Sequence, residues 1–396
     1  MTATLIVLFW TSLALLLLPF VLYRIGISLL ARLKPRPIRR ETPTEAPMVT
    51  FVMAAFNEEE IIAERIENFL NLDYPVGKLR FLIGSDASTD RTDEIVRRYE
   101  NREPSVALTR FEKSGKTRIV YDLARPITRG IIIFTDADAL LEPSAVAEMV
   151  ACFSDPDVGG VVVNVGYRER EENAGSIGER SYHSAENRVR RAESLVDSTL
   201  GPTGQCFAVR PEAYTELEDV RMSDDLNLAI TVRLNGYRVW FEPKARVLEV
   251  NRRTLASEFQ RRTRMGRQSM ATYRGYRQTR WPWQSSTALK LWLHKIPRNL
   301  SGLSALFVGI FAVLLAIEGA GPIYLGFAIA GALWLLLVGI GFVVESTGHR
   351  LRILAYPLYF SAMIVALTIG SLRAIRRGSG LAEWSSPRIS ATNRLK

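Results

Sequence analysis

Cysteine and histidine are nearly missing from this chain. Its 396 residues hold two cysteines, Cys152 and Cys206, and three histidines, His183, His294 and His349. So few and so scattered, they exclude a disulfide framework and a zinc site of the usual Cys/His kind. Two phosphate-binding signatures are absent as well. No glycine-spaced run leads into a Gly-Lys-Ser/Thr, and no Gly-x-Gly-x-x-Gly occurs, which argues against a P-loop nucleotidase and a dinucleotide enzyme. Charge is missing from four long stretches: Met1–Tyr23, Asn299–Ile317, Gly319–Val344 and Ile353–Leu372 contain no Asp, Glu, Lys or Arg. Each is about long enough to cross a hydrocarbon core of roughly 30 Å. Four spanning helices are therefore expected, one before a soluble domain and three after it.

The charge that is present has a pattern. The net charge is +10, from 51 basic and 41 acidic residues. Much of the excess flanks apolar stretches: Arg24 to Arg40, Arg252 to Arg280 and Arg373 to Arg377. Anionic membrane lipid accounts for that placement better than nucleic acid, for which no aromatic-basic module is visible. The first apolar stretch has no basic residue ahead of it and no Ala-x-Ala exit, and Arg24, Arg32, Lys34 and Arg36 follow it. That reads as a retained anchor with its basic flank in the cytosol, of a bacterial inner membrane, and places the domain after it on the cytosolic side. Three crossings after that domain leave the C-terminus outside, against the preference of Arg373, Arg376 and Arg377 for the cytosol.

The expected organisation is an anchor over 1–34, a proline-rich linker over 35–47, and a catalytic domain over 48–250. Interfacial amphipathic helices follow over 251–298, then three spanning helices over 299–375 and a polar tail over 376–396. Within 48–250 strand-like and helix-like segments alternate, which predicts an α/β domain with a mixed, mostly parallel sheet flanked by helices.

Chemistry collects at the predicted strand ends. The apolar run Gly130 to Thr135 predicts a strand buried on both faces, and Asp136-Ala137-Asp138 follows it directly. Two carboxylates just past such a strand sit where open α/β sheets bind ligands, and they suit a hard cation such as Mg²⁺ or Mn²⁺. An earlier strand, Val49–Ala55, runs into Phe56-Asn57-Glu58-Glu59-Glu60, and Phe81–Gly84 runs into Ser85-Asp86-Ala87-Ser88-Thr89-Asp90-Arg91-Thr92. Gly115-Lys116 opens another helix between them and the acids.

In this order the motifs Ala55-Phe56-Asn57-Glu58, Ser85 to Thr92, Gly115-Lys116 and Asp136-x-Asp138 resemble the membrane-bound family-2 glycosyltransferases. So do Gly201 to Arg210, Ser223-Asp224-Asp225 and Glu258 to Met265. The resemblance covers roughly Val49 to Met270. It implies a GT-A type fold and an inverting transfer from a nucleotide-diphosphate sugar, UDP-linked by the family pattern, to a lipid-linked or saccharide acceptor.

The resemblance also implies roles. Asp138 would be the direct metal ligand, with Asp136 nearer the ribose or a metal-bound water. Ala55, Asn57 and Glu58 would wrap the nucleoside, Asp86 would read the base edge, and Lys116 would lie near the base or diphosphate. Gly204, Gln205 and Cys206 would face the acceptor. Asp225 would be the general base, supported by Asp224. Outside the site, Asp90 and Asp93 read as helix-capping acids, and Glu59 and Glu60 as first-turn acids.

One motif departs from the pattern. Where processive synthases of this family carry Gln-x-x-Arg-Trp, this chain has Arg261-Arg262-Thr263-Arg264-Met265. Arg261 and Arg264 keep cations for the diphosphate, but Met265 removes a flat ring that would stack an acceptor sugar. Two alternatives stay open: a processive synthase that extrudes its polymer, and a transferase-like subunit that only binds nucleotide or scaffolds a secretion complex.

Overall fold

The computed structural model describes residues 1–169, 174–201, 204–215, 223–251, 255–347 and 351–377. In chain order its principal elements begin with helices α1 (Thr2–Leu17) and α2 (Tyr23–Leu33), joined through a π-helical turn at Leu18–Leu22. Then follow β1 (Val49–Ala55), α3 (Ile62–Leu70), β2 (Leu79–Asp86), α4 (Thr92–Glu100), β3 (Val106–Phe111) and α5 (Lys116–Ala124). Next come β4 (Ile131–Thr135), β5 (Ala139–Leu141), α6 (Ala145–Cys152), β6 (Val158–Glu169) and α7 (Ala174–Val196). The soluble part ends with β7 (Cys206–Val209), α8 (Asp224–Leu234) and β8 (Arg238–Asn251). After it come α9 (Leu255–Gly275), α10 (Ser286–Lys290), α11 (Ile296–Asn299), α12 (Ser301–Ile317), α13 (Pro322–Ser346) and α14 (Arg352–Arg377).

The chain forms two compact units. One is built from Leu30–Arg170 and His183–Arg252, the other chiefly from Met1–Leu29 and Arg253–Gly380.

The first unit carries one eight-stranded sheet, in the order β3-β2-β1-β4-β7-β6-β8-β5. β3, β2, β1 and β4 run parallel, and β7 enters antiparallel between β4 and β6. The sheet is mixed and mostly parallel, as the alternating pattern predicts. All residues of β1 and β4 are buried, because helices cover both faces of the sheet centre and an apolar run satisfies both. The order 3-2-1-4 reverses direction between β1 and β4, so the crevice for a ligand opens beyond their C-terminal ends. Asp136 to Asp138 lie in the turn by which the chain leaves central β4 for β5 at the far edge of the sheet.

Two sequence boundaries move. α3 begins at Ile62, so Glu59 and Glu60 precede it. The reason is a competing partnership: Glu59 N donates to Asp90 Oδ2 at 3.1 Å, and its carboxylate accepts from Arg91 N at 3.1 Å. Asp90 is not the cap, since Arg91 holds the N-cap position of α4; it instead accepts from Thr92 N at 3.0 Å in the turn just before the helix, and Asp93 pairs with Arg110. The stretch 35–47 runs across this unit as a strap. Arg36 N donates to the Leu195 carbonyl, Arg238 donates to the Arg36 carbonyl at 2.7 Å, and Arg40 pairs with Glu148 and Glu242.

The second unit holds the apolar helices. Among the described residues three are long and apolar enough to cross a membrane: Thr2–Leu33, Pro322–Ser346 and Ile353–Arg376. A fourth arises if Ser286–Asn299 and Ser301–Ile317, bent by 63°, count as one span. In its interior Gly266 of α9 and Gly370 of α14 permit backbone contact. A methyl group on either would overlap the Leu367 or the Thr263 carbonyl.

Candidate active site

Three elements of the sheet unit bring charge to one cleft. The N-terminus of α5 offers Lys116, the end of β4 offers Asp136, and the first turn of α8 offers Asp224 and Asp225. Gly115 permits this by taking φ 83° just before α5, a left-handed conformation that glycine adopts without strain. Lys116 Nζ lies 2.7 Å from Asp136 Oδ1 and 3.0 Å from Asp224 Oδ2. The cleft around them, about 350 Å³ including its open mouth, is lined further by Tyr121, Phe134, Gly204 and Asp225.

The two neighbouring aspartates are electrostatically unlike. Burial pushes the Asp224 carboxyl up, but the ammonium of Lys116 and its hydrogen bond outweigh that, and its pKa falls below the ordinary value. Asp225 goes the other way: burial first, and then the negative charge of Asp224, raise it. For Lys116 burial works against the charge, yet Asp136 and Asp224 more than reverse this and raise its pKa. Divergent titration of adjacent carboxyls is how one site supplies both a fixed charge and a proton acceptor. Asp225 is held by Ser223 Oγ and by Leu226 N, the latter 2.7 Å from Oδ1. Its other oxygen, Oδ2, looks toward Gly204, as does Asp136 Oδ2.

The expected donor residues form a second cluster at the ends of β1 and β2. Asn57 Oδ1 accepts from Thr89 N at 2.9 Å, Asn57 N donates to Ser88 Oγ, and Glu58 N donates to Thr92 Oγ1 at 2.8 Å. Asn57 and Ala87 both take left-handed backbone, φ 53° and 56°. Ala55 is the last, fully buried residue of β1. Asp86, fully buried, accepts from Ser114 N at 2.7 Å and Gly115 N at 3.0 Å, and its second oxygen lies 3.1 Å from Lys113 Nζ. It therefore holds the loop that launches Lys116. Ala55, Asn57, Glu58, Asp86 and Asp138 are not among the residues lining the cleft at Lys116.

Of the residues expected to face the acceptor, Gln205 offers its carbonyl to Asp136 N at 3.2 Å and to Thr135 Oγ1 at 2.9 Å, fixing the β4 end. The Cys206 side chain is wholly buried, and burial pushes its thiol up to about 12, so it is a core residue and no nucleophile. Arg261 and Arg264 belong to α9 in the other unit. There Arg261 holds Glu258 through Nε and Nη2, each at 2.7 Å, with Arg262 on the same carboxylate. Sequence reading passed over Tyr121, whose hydroxyl accepts from Asn227 Nδ2 at 3.0 Å and ties α5 to α8. Its one signal was its place on the helix that Lys116 opens.

The donor set suits a hard cation. Asp136 and Asp138 supply only oxygens, and Mg²⁺ ordinarily takes one or two protein carboxylates beside water and phosphate oxygens. No cluster of three ligating side chains occurs among the described residues, so water and a bound diphosphate would complete the shell.

Comparison with known proteins identifies the family. The model of the glycosyltransferase-like family 2 matches residues 46–268. Poly-β-1,6-N-acetyl-D-glucosamine synthase of Staphylococcus aureus is 24% identical over 220 residues, 54% of this chain and 53% of that protein. β-Monoglucosyldiacylglycerol synthase of a Nostoc species is 26% identical over 212 residues, 52% of this chain and 45% of that protein. The chain thus matches about half the length of these curated relatives. Among solved structures, the mannosyltransferase PcManGT of Pyrobaculum calidifontis, held with GDP-mannose and Mn²⁺, has 23% identity and a TM-score of 0.68. The likeness covers 95% of this chain and 99% of that one, and establishes a shared fold. On the family match the chain is a family-2 glycosyltransferase.

Proposed function

We propose that this protein is a membrane-embedded, inverting transferase that moves a sugar from a nucleotide-diphosphate sugar, UDP-linked on the motif pattern, to a lipid-linked or saccharide acceptor. The product would enter polysaccharide or glycolipid assembly. The observation that carries the reading is the convergence of Lys116, Asp136, Asp224 and Asp225 on one cleft at the switch point of the sheet. The glycan and glycolipid synthases among its relatives support the acceptor class. Its apolar helices and the basic residues beside them support the membrane setting, with anionic lipid around the interfacial segments.

Asp225 is the general base. Its raised pKa keeps the carboxylate a competent proton acceptor, and Ser223 and Leu226 N fix its orientation toward Gly204, where an acceptor hydroxyl would sit. Asp224, ionised against Lys116, keeps a fixed negative charge beside the base. Lys116 gives the departing diphosphate a cation, and binding of that diphosphate competes with Asp136 and Asp224 for it. A Mg²⁺ or Mn²⁺ ion held by Asp138 and Asp136 would neutralise diphosphate charge as a Lewis acid. With one positioned base and, among the described residues lining the cleft, no side chain poised as nucleophile, the reading is a single displacement with inversion at the anomeric carbon.

The discriminating experiment is turnover of purified protein with a panel of radiolabelled UDP- and GDP-sugars. Products would be resolved into lipid-linked and free saccharide. Transfer from one UDP-sugar supports the reading, and transfer from GDP-mannose alone would replace its donor. Hydrolysis without transfer, or nucleotide binding without either, would favour a binding subunit. A processive synthase remains a second reading, favoured by the name of the Staphylococcus relative.

A further inference from the structure

The turn that carries Asp136 and Asp138 joins a strand that is firmly held to one that is not. At the sheet centre Asp136 N donates to the Gln205 carbonyl at 3.2 Å, and Ala137 is buried in the core. The other end of the turn is β5, three residues long and at the edge of the sheet. Its strand neighbour is β8, paired from Ala139↔Glu249 to Leu141↔Val247. So short an edge strand is marginal by itself and leaves backbone groups to be satisfied from elsewhere.

Asn68 of α3 satisfies them. Its Nδ2 donates to the Leu141 carbonyl at 2.8 Å, and its Oδ1 accepts from Leu141 N at 2.9 Å. A side-chain amide has one donor group and one acceptor, as a peptide group has, and here it stands in for a neighbouring strand. The amide is itself aimed. Arg65, one turn earlier on α3, donates from Nη1 to the same Oδ1 at 3.3 Å. A flipped amide would set its NH₂ against two donors at once.

Arg65 is a poor choice for packing alone. It is 0% exposed, with its guanidinium 5.6 Å from the Phe51 ring centroid and 4.9 Å from that of Phe81. Its Nε and Nη2 have no hydrogen-bond partner among the described residues. Burial lowers its pKa to about 10, so it stays charged at neutral pH. Met would fill this apolar space without stranding two buried donors. What Met lacks is a donor for Asn68.

We propose that Asn68, oriented by Arg65, is a positioning residue for the metal-binding turn. By clamping both polar groups of Leu141 it fixes the backbone that presents Asp138, three residues earlier. This rests on the reading of Asp138 and Asp136 as the metal carboxylates. Groups behind a ligand act on a metal by fixing where the ligand stands.

The test is Mn²⁺ binding to the full-length protein in detergent, read from the EPR signal of free Mn²⁺. Titrations run without nucleotide, with UDP and with GDP, each against a protein-free blank. Asn68→Leu and Asn68→Ala should each weaken Mn²⁺ binding by about tenfold. Arg65→Met should weaken it by a smaller factor while melting no lower than the wild type, since it removes a buried charge. Ile66→Ala, a core truncation on the same helix, should lower the melting temperature and leave Mn²⁺ affinity unchanged. Excess Mn²⁺ should restore transfer in the Asn68 variants, a shift in metal requirement and not in the maximal rate. If Asn68→Leu does not fold, Asn68→Ala and Arg65→Met carry the test. Wild-type Mn²⁺ affinity in the folded Asn68 variants overturns the proposal, and in Arg65→Met it removes the role of Arg65. Equal weakening by Ile66→Ala also overturns it, because loss of stability alone would then explain the effect. A wild-type protein that takes up no Mn²⁺ overturns the metal reading itself, which separates that failure from the failure of Asn68.

Discussion

Asp136 and Asp225 each direct an Oδ2 toward Gly204, and a Cβ added there would lie 3.7 Å from both. That is ordinary contact distance, so Gly204→Ala should fold normally while its methyl occupies the space between the two carboxylates. Turnover is expected to fall by about ten- to a hundredfold, since small misplacements of reacting groups cost that much. Paired melting curves and initial rates check it. Unchanged rates would mean that the acceptor passes elsewhere.

The pH dependence follows from the raised pKa of Asp225. The base works only when deprotonated, so activity should rise with pH through a limb lying above the ordinary carboxylate value. Lys116 is among the groups that lower Asp225, so Lys116→Met should move that limb to still higher pH. The stability sign is opposite. A raised folded pKa favours the protonated form, a contribution present at low pH and lost as pH rises through the folded value. At neutral pH Asp225→Asn should therefore melt no lower than the wild type, while turnover drops by about 10² or more.

Metal dependence is checked by Asp138→Ala and by chelation. The variant should lose transfer yet keep its melting temperature, because the half-buried carboxylate is not part of the core. Chelator should abolish turnover, and Mg²⁺ or Mn²⁺ should restore it. Turnover that survives chelation sinks the metal-assisted mechanism.

Product length separates single transfer from polymerisation. Met265 stands where an aromatic ring would stack, and its sulfur instead lies 3.5 Å from Arg261 Nη1. Ring contacts contribute about 0.5 to 1.5 kcal/mol, so without one a grown chain should dissociate about as readily as a single acceptor. Short products that lengthen only as acceptor runs out are expected at limiting enzyme. Long polymer beside unused acceptor would promote the synthase reading.

The side of the C-terminus can be decided by a reporter active only in the cytosol, fused after Lys396. Counting apolar runs places that end outside. However, half of the apolar window of α14 is buried, at 50% against 6% for α13. Its second half also lies against α9, a helix bearing Arg261, Arg262, Arg264, Arg267 and Arg274 that is not a candidate span. The reporter should therefore be active, with α14 failing to complete a crossing. A silent, stably expressed fusion would restore the fourth span.

The sheet centre was legible because β1 and β4 are buried on both faces, and such strands announce themselves as unbroken apolar runs. The acids at their ends were legible for the same reason, since a carboxylate that follows such a run stands out. The bridge from Lys116 to Asp136 and Asp224 was not, because it joins α5, β4 and α8 and exists only once the sheet is assembled. Nor was the strap over 35–47, whose prolines and alternating charges read as a linker until their distant partners, Glu148, Glu242 and Arg238, are in place. The two π turns, at Leu18–Leu22 and Leu291–Lys295, leave no composition signal, since they differ from α-helix only in which carbonyl each amide chooses.

Ala87 carries a consequence beyond the site it borders. An alanine at φ 56° is conformationally uncomfortable, and glycine would relieve roughly 1 kcal/mol of that discomfort. The loop is thus a reserve of unspent stability. Ala87→Gly would draw on it only by loosening the very turn that Asn57 and Ser88 hold taut, so heat resistance and nucleotide grip should trade against each other at this one residue.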